Sequence, residues 1–229
     1  FSRFTDDTVC SIAVADAIVS GISFENKLQE WCRKYPNAGY GGKFRHWIVS
    51  ETPMPYGSYG NGSAMRVSSV GAIATSVDEC LELAAKSAIV THDHPEGIKG
   101  AQAVALATYF SLEGNSKDFI KNELERRFEY DLSRDYEEIQ KDYRFHVSCQ
   151  KSVPEAIIAF LVSNDYESAV RRAVAYGGDA DTQAAIAGSI AAAFYGEIPE
   201  IIQTECNDKL PDEIKKVIFD LDNVIERKK

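Results

Sequence analysis

Residues 176–196, YGGDADTQAAIAGSIAAAFYG, give the clearest indication of how this chain folds. A pair of glycines precedes two aspartates, Asp179 and Asp181, and a run of small residues follows. Alanine favours helix, and side chains this small let neighbouring elements approach closely. We therefore expect a tightly packed helix in the core, with two carboxylates at its N-terminal end.

Helical spacing of apolar residues continues along most of the sequence. Ser76 with Glu79, and Asn164 with Glu167, have the three-residue spacing of capping boxes. The predicted helices cover residues 12–19 before a C-terminal glycine at 21, then 76–90, 95–114, 116–128, the apolar residues that follow Pro154, 164–174 and 211–225.

No segment alternates polar and apolar residues as a half-buried strand would. The region 35–62 is rich in glycine, proline and tyrosine and is predicted to be irregular. The sequence FDLDN at 219–223 resembles a phosphatase nucleophile motif, but the surrounding apolar residues have helical spacing, so we expect a helix there. The sequence predicts one all-α domain over residues 1–229.

Composition narrows the function classes. The chain has 229 residues, 45% of them hydrophobic, a net charge of −10 and a pI of about 5.0. An acidic surface argues against binding to a nucleic-acid backbone or to an anionic membrane. The five cysteines are scattered without a C-x-x-C pair, which favours buried thiols in a reducing compartment. We therefore expect a cytoplasmic protein with no membrane segment.

The two aspartates at 179 and 181 point to metal binding. In a turn, carboxylates two residues apart can face one point, and Thr182 adds a hydroxyl oxygen. Oxygen ligands of this kind suit a hard cation such as Mg²⁺ or Mn²⁺. The alternative is helix capping by Asp181 or Thr182. Capping accounts for one acid but not for the second acid or the crowding by small residues.

A second acid cluster lies in FTDDTVCSIAVADAI, residues 4–18. Thr5, Asp6, Asp7 and Thr8 open an apolar helix, and capping would again explain a single acid. Adjacent carboxylates repel each other, and a cation between them removes that cost. Together, the two clusters predict a site for one or two metal ions.

Four motifs in order resemble the ADP-ribosylglycohydrolase family: FTDDT (4–8), GSYGNGSAMRVS (57–68), THDHPEGIKGAQA (91–103) and GGDADT (177–182). The resemblance covers essentially the whole chain. It implies a compact single-domain orthogonal helix bundle with two Mg²⁺ ions, or Mn²⁺ in some members. The implied reaction is hydrolysis of the glycosidic bond between ADP-ribose and a modified side chain or small acceptor.

The resemblance also assigns site residues. The implied metal ligands are Thr5, Asp6, Asp7, Asp179, Asp181 and Thr182, and the carboxylates of Asp6, Asp7 and Asp179 are the catalytic candidates. The implied substrate-binding residues are Ser58, Tyr59, Gly60, Asn61, Gly62 and His92. His94 is expected to have a structural role instead.

The glycines of the second motif have a physical reason to be there. Without side chains, Gly60 and Gly62 would allow backbone N–H groups to approach phosphate oxygens, with the N-terminus of a following helix directed at them. The alternative for residues 57–62 is an ordinary flexible turn.

Two departures from the family pattern stand out. The usual glycine-rich segment with a glutamate, upstream of the first motif, is absent, and Phe1 lies close to that motif. We therefore expect that the native protein has a further N-terminal segment. Ala180 replaces a threonine that is common in the last motif, which should have a small effect.

The expected partner is an ADP-ribosylated protein or a small-molecule substrate. Neither the acceptor nor the oligomeric state is indicated by the sequence. The alternative function is a catalytically silent, ADP-ribose-binding or structural member of the same fold, similar to lens crystallins of this family.

Overall fold

The computed structural model describes residues 3–227, so the ends of the predicted domain at 1–2 and 228–229 lie outside the described residues. Within that range the chain forms thirteen α-helices and one 3₁₀ turn, and the only strand-like pairing is an isolated bridge between Gly60 and Ser148. The predicted all-α class is confirmed. The helices are α1 (Asp6–Ser20), α2 (Phe24–Lys34), α3 (Gly42–Val49), α4 (Ser68–Ile73), α5 (Val77–Ile89), α6 (Pro95–Leu112), α7 (Lys117–Phe128), α8 (Tyr136–Asp142), α9 (Cys149–Leu161), α10 (Tyr166–Ala175), α11 (Ala180–Tyr195), α12 (Glu200–Asn207) and α13 (Asp212–Glu226), with the 3₁₀ turn at Asn61–Ser63.

The small-residue helix α11 packs against α6, α9 and α10, as the opening stretch of sequence predicted. A Cβ atom added to Gly188 would stand 3.3 Å from Cγ2 of Val170, so this glycine lets α10 and α11 approach closely. A glycine also allows α4 and α6 to approach closely, because a Cβ on Gly71 would stand 2.4 Å from the carbonyl oxygen of Ala105. Small residues therefore set the spacing of the central helices.

Several predicted helix ends are confirmed. Gly21 ends α1 in the left-handed conformation with φ of 69°, and Ser76 and Ser116 accept hydrogen bonds at the starts of α5 and α7. Glycine suits the first position because it adopts positive φ without steric cost.

The capping box predicted at Asn164 and Glu167 is one residue out of place. The N-cap of α10 is Asp165, whose carboxylate accepts from the N–H of Ser168 at 2.6 Å. The Ser168 hydroxyl accepts in turn from the N–H of Asp165. The Ser168 hydroxyl therefore accepts the reciprocal hydrogen bond that was predicted for the carboxylate of Glu167.

The region 35–62 is less irregular than predicted, because it contains α3. This helix is short and buries only Trp47 and Ile48, so its apolar spacing is hard to recognise in a sequence. The predicted helix after Pro154 begins earlier, at Cys149, so this proline lies inside α9.

The C-terminal motif FDLDN lies within α13, which confirms a helix at 219–223. The five cysteines are free, and all but Cys206 are buried. No helix within residues 3–227 combines the length and the apolar character that crossing a membrane requires.

Candidate metal centre and ligand cavity

The N-terminal ends of α1 and α11 meet, which brings the two acid clusters together. Oxygen atoms from Asp6, Asp7 and Asp181 all lie within 4.8 Å of one another. The backbone N–H of Asp6 donates to the carbonyl of Ala38 and thereby fixes the start of α1. Three carboxylates from the two ends of the sequence therefore converge on one small volume.

Side-chain capping does not explain these acids. The N-cap residues, Thr5 for α1 and Asp179 for α11, make no side-chain capping hydrogen bond. The Thr5 hydroxyl instead donates to Oδ2 of Asp7 at 2.9 Å. The alternative that Asp181 or Thr182 is the N-cap is wrong, because α11 already begins at Ala180 and both residues lie within its first turn.

Burial and mutual repulsion disfavour the ionised forms of these acids. Burial, and then the nearby charge of Asp181, raise the pKa of Asp7 to about 7. Burial, followed by the charges of Asp181 and Asp179, raises the pKa of Asp6 to about 6. The pKa of Asp179 is also raised, mainly by burial. A cation among the carboxylates would offset these costs.

The donor atoms fit a hard cation. Oδ1 of Asp7 is buried and has no hydrogen-bond partner, so one carboxylate oxygen of the cluster is left unsatisfied. Gly39 has φ of +115°, and a Cβ there would stand 3.1 Å from Oδ1 of Asp6, so a side chain at this position would crowd the carboxylate. Carboxylate and hydroxyl oxygens, without sulfur or imidazole, suit Mg²⁺ or Mn²⁺ better than Zn²⁺.

A cavity of about 620 Å³ opens beside the acid cluster. Ten residues singled out from the sequence line it, namely Thr5, Asp6, Ser58, Gly60, Asn61, Gly62, His92, Asp179, Asp181 and Thr182. Asp7 is not among the lining residues, and neither is Tyr59. The Tyr59 side chain is 52% exposed, and its ring lies 5.3 Å from that of His94. Ten of the twelve predicted site residues therefore border one cavity, and Asp7 lies behind its lining within the acid cluster.

Two N–H groups of the glycine-rich loop donate to other groups of the protein. The N–H of Asn61 donates to Val147 O at 2.8 Å, and that of Gly60 donates to Ser58 Oγ. A three-residue 3₁₀ turn, Asn61–Ser63, overlaps the end of the loop, and the next α-helix, α4, begins at Ser68. The bridge of this loop to residues 147–149 takes up the N–H of Asn61.

His92 lies against this loop. Its Nε2 atom is 3.4 Å from the position that a Cβ on either Gly60 or Gly62 would occupy, so both glycines make room for the imidazole ring. Nδ1 of His92 lies 2.7 Å from the hydroxyl of Thr91. His94, in contrast, accepts from the N–H of Glu96 at the start of α6, as expected for a structural histidine.

Residues 143–148, which no sequence pattern indicated, join the glycine loop to the turn before α11, and we call this segment the strap. A Cβ on Gly178 would stand 3.0 Å from the Tyr143 ring and 3.2 Å from the carbonyl of Arg144. The other end of the strap pairs with the glycine loop. Phe145 and Val147, 64% and 52% exposed, line the cavity. Apolar side chains that line a cavity are available for contact with a ligand.

Arg66 was also missed, although it belongs to the second motif. It lines the cavity, yet it is only 1% exposed. Its Nη2 atom donates to Ser87 O and to the hydroxyl of Thr91. An arginine buried this deeply has no distinguishing mark in the sequence, because its partners come from a separate helix and the turn that follows it.

Comparison with known proteins gives a consistent result. The family model described as ADP-ribosylglycohydrolase matches residues 1–228. The chain is 26% identical to the ADP-ribosylhydrolase ARH3 of Mus musculus over 269 residues, covering 89% of this chain and 73% of that protein. It is 24% identical over 239 residues to the ADP-ribosyl-[dinitrogen reductase] glycohydrolase of Rhodospirillum rubrum, covering 94% and 78%. A solved structure, an ADP-ribosylglycohydrolase-related protein complex, matches with a TM-score of 0.74 at 22% identity, covering 96% of this chain and 81% of that chain.

Proposed function

The chain belongs to the ADP-ribosylglycohydrolase family, and from this membership we propose a magnesium-dependent hydrolase that releases ADP-ribose from an ADP-ribosylated protein or small molecule. The family and the relatives above indicate hydrolysis of an ADP-ribosyl linkage. The observation that carries the proposal is the convergence of Asp6, Asp7 and Asp181 within 4.8 Å beside a cavity. Within residues 3–227, no comparable feature favours the catalytically silent alternative.

The proposed metal ligands include Asp7, which has an unsatisfied carboxylate oxygen. They are Thr5, Asp6, Asp7, Asp179, Asp181 and Thr182, and together they would hold two Mg²⁺ ions, with Mn²⁺ as a substitute. The bound ions would supply Lewis acidity toward the ribose hydroxyls and the attacking water. The raised pKa values of Asp6 and Asp7 support this assignment, because burial and the charges of neighbouring aspartates outweigh the favourable interactions of both carboxylates.

The chain's own carboxylates would handle the proton. A carboxylate from Asp6, Asp7 or Asp179 would accept a proton from the water that attacks the anomeric carbon. The bond to the acceptor breaks with its electron pair on the acceptor, and the proton then passes from the carboxylic acid to that acceptor. The same carboxylates stabilise the positive charge that develops on the ribose ring. Asn61 holds Asp179 in place through a 2.7 Å hydrogen bond from its side-chain amide.

The substrate would lie along the cavity from the acid cluster to the glycine loop. Ser58, Gly60, Asn61, Gly62 and His92 are the proposed contacts to its phosphates and ribose, since all five line the cavity. Tyr59 contributes only where a ligand extends beyond the cavity, because its exposed ring lies outside the lining.

The test is release of ADP-ribose from a panel of linkages, namely arginine-linked, serine-linked and acetyl-ester substrates. Each substrate is incubated with the protein in magnesium and in a chelator. We expect magnesium-dependent release from at least one substrate, and its loss in the Asp181→Asn variant. Release that continues unchanged in the chelator would refute the metal requirement, and no release from any substrate would refute the proposed activity.

A further inference from the structure

Three buried residues form a hydrogen-bonded line behind the ligand cavity. Arg66, Thr91 and His92 are 1%, 0% and 5% exposed. Nη2 of Arg66 donates to Oγ1 of Thr91 at 3.0 Å, and Oγ1 of Thr91 lies 2.7 Å from Nδ1 of His92. The line therefore runs from the buried guanidinium of Arg66 to the imidazole of His92, which borders the cavity.

The direction of the protons follows from the chemistry of the three groups. A guanidinium can only donate, so Oγ1 of Thr91 accepts from Arg66. The Thr91 hydroxyl then has one hydrogen to donate, and Nδ1 of His92 is its available acceptor among the described residues. If Nδ1 carried a proton instead, that hydroxyl hydrogen would have no acceptor in a fully buried site, which is costly.

An unprotonated Nδ1 places the ring proton on Nε2, since a neutral imidazole carries one proton. Burial, with a further contribution from the charge of Arg66, holds the pKa of His92 well below its ordinary value, so the ring stays neutral. Nε2 lies at the glycine loop, 3.4 Å from the positions that Cβ atoms would take on Gly60 and Gly62. The N–H group on Nε2 therefore lies beside the loop that borders the cavity.

We propose that Arg66 and Thr91 are positioning residues that fix His92 as the Nε2–H tautomer, so that it donates a hydrogen bond to an acceptor oxygen of bound ADP-ribose. The identity of the ligand rests on the proposed function. The tautomer does not, since it follows from contacts within the protein.

Nitrogen-15 NMR of the histidine rings in the full chain tests the tautomer directly. We expect the signals of His92 to show a protonated Nε2 and an unprotonated Nδ1, unchanged across the pH range in which the protein stays folded. A protonated Nδ1, or a ring that becomes cationic near neutral pH, would overturn the proposal. This measurement needs neither a variant nor a ligand.

A matched pair of variants tests the role of Thr91. Thr91→Val keeps the shape of the side chain but removes the hydroxyl, whereas Thr91→Ser keeps the hydroxyl. Calorimetry should show ADP-ribose affinity reduced about fivefold to tenfold in the valine variant, the cost of one hydrogen bond, and close to wild type in the serine variant. In the valine variant the NMR signals should report a changed tautomer population.

Wild-type affinity and an unchanged tautomer in Thr91→Val would contradict the proposal, as would equal losses in both variants. Melting temperatures serve as the folding control, because Arg66 loses one of its two acceptors in the valine variant. If that variant does not fold, the wild-type NMR spectrum and the serine variant decide the question. If wild-type protein does not bind ADP-ribose, the proposed function fails while the tautomer assignment is still decided by NMR.

Discussion

The side-chain amide of Asn61 donates a 2.7 Å hydrogen bond to Oδ2 of Asp179, joining the glycine loop to the acid cluster. The two residues are 118 positions apart in the sequence. Asn61 is buried, and its own N–H is held by Val147. A ligand that contacts the loop therefore contacts a group that also orients a proposed metal ligand.

Replacing Asn61 should separate these two parts of the site. We expect Asn61→Ala to weaken ADP-ribose binding on the order of tenfold, since one oriented group and the hold on Asp179 are both lost. Calorimetry measures the affinity, and a melting curve reports whether the fold is kept. Wild-type affinity in a folded variant would show that the loop has been misassigned.

Magnesium should stabilise the folded protein. A ligand that binds only the folded state at about one hundred times its dissociation constant adds about 2.7 kcal/mol. We expect the melting temperature to rise from a chelator to millimolar magnesium or manganese, with no specific advantage for zinc. The same melting temperature across the whole series would argue against a metal site of useful affinity.

Exchanging a carboxylate for an amide tests metal ligation at Asp181, which lies in the first turn of α11 and is not its N-cap. Asp181→Asn keeps the size of the side chain and removes its charge, so it would cost little if Asp181 were not a ligand. If Asp181 is a ligand, turnover should fall on the order of 100-fold or more, and the magnesium-induced rise in melting temperature should shrink. Asp179→Asn and Asp6→Asn should behave alike, and double variants should lose little more than single ones, because one missing ligand already disables the centre.

The glycine pair before α11 offers an internal control. Gly177 and Gly178 both have positive φ, of 73° and 67°, so alanine at either position costs about 1–2 kcal/mol of backbone strain. A Cβ on Gly177 meets no atom within 4 Å, whereas one on Gly178 meets the strap. Urea unfolding should therefore show a larger loss of stability for Gly178→Ala than for Gly177→Ala, and only Gly178→Ala should also weaken magnesium binding. Equal losses would mean that the strap does not support the turn.

The exposed phenylalanine of the strap should contribute to ligand binding without contributing to stability. Phe145 is 64% exposed and lines the cavity, and Phe219 on α13 is 65% exposed but is not one of the lining residues. We expect Phe145→Ala to reduce ADP-ribose affinity on the order of tenfold through lost ring contact. Phe219→Ala should leave it unchanged, and both variants should melt close to wild type. If Phe145→Ala and Phe219→Ala bind ADP-ribose with equal affinity, the strap is not part of the ligand site.

The parts of the fold that were predictable depend on local chemistry. Gly21 ends α1 because it adopts positive φ. Ser76 and Ser116 cap α5 and α7 by accepting hydrogen bonds from backbone N–H groups three residues later, so the sequence contains both partners. The acid clusters were recognisable because aspartates close together in sequence, with a threonine beside them, offer the oxygen ligands that hard cations prefer. The predicted N-cap of α10 was one position too early, because Asp165 and Ser168 have the same three-residue spacing and also carry side chains that can form a capping box.

The strap and the Arg66 line were not predictable for a different reason. Residues 143–148 have no helical or strand period, and their importance comes from contacts with Gly60 and Gly178 that are remote in sequence. Arg66 pairs with groups on and just after α5 rather than with an acid, so charge patterns do not reveal it. Such contacts exist only once the helices have packed.

The convergence of the α1 and α11 N-termini has a consequence for the order of folding during synthesis. Asp7 leaves the ribosome long before Asp181, so a nascent chain that already contains the first acid cluster cannot form the cation site. Bringing Asp7 and Asp181 together closes a long loop and lowers the entropy of the chain. Packing of the helices between the two clusters must offset that loss before any ion can bind. Magnesium should therefore leave the folding rate unchanged and slow only the unfolding of the completed chain, because the ion binds after the rate-limiting step of folding.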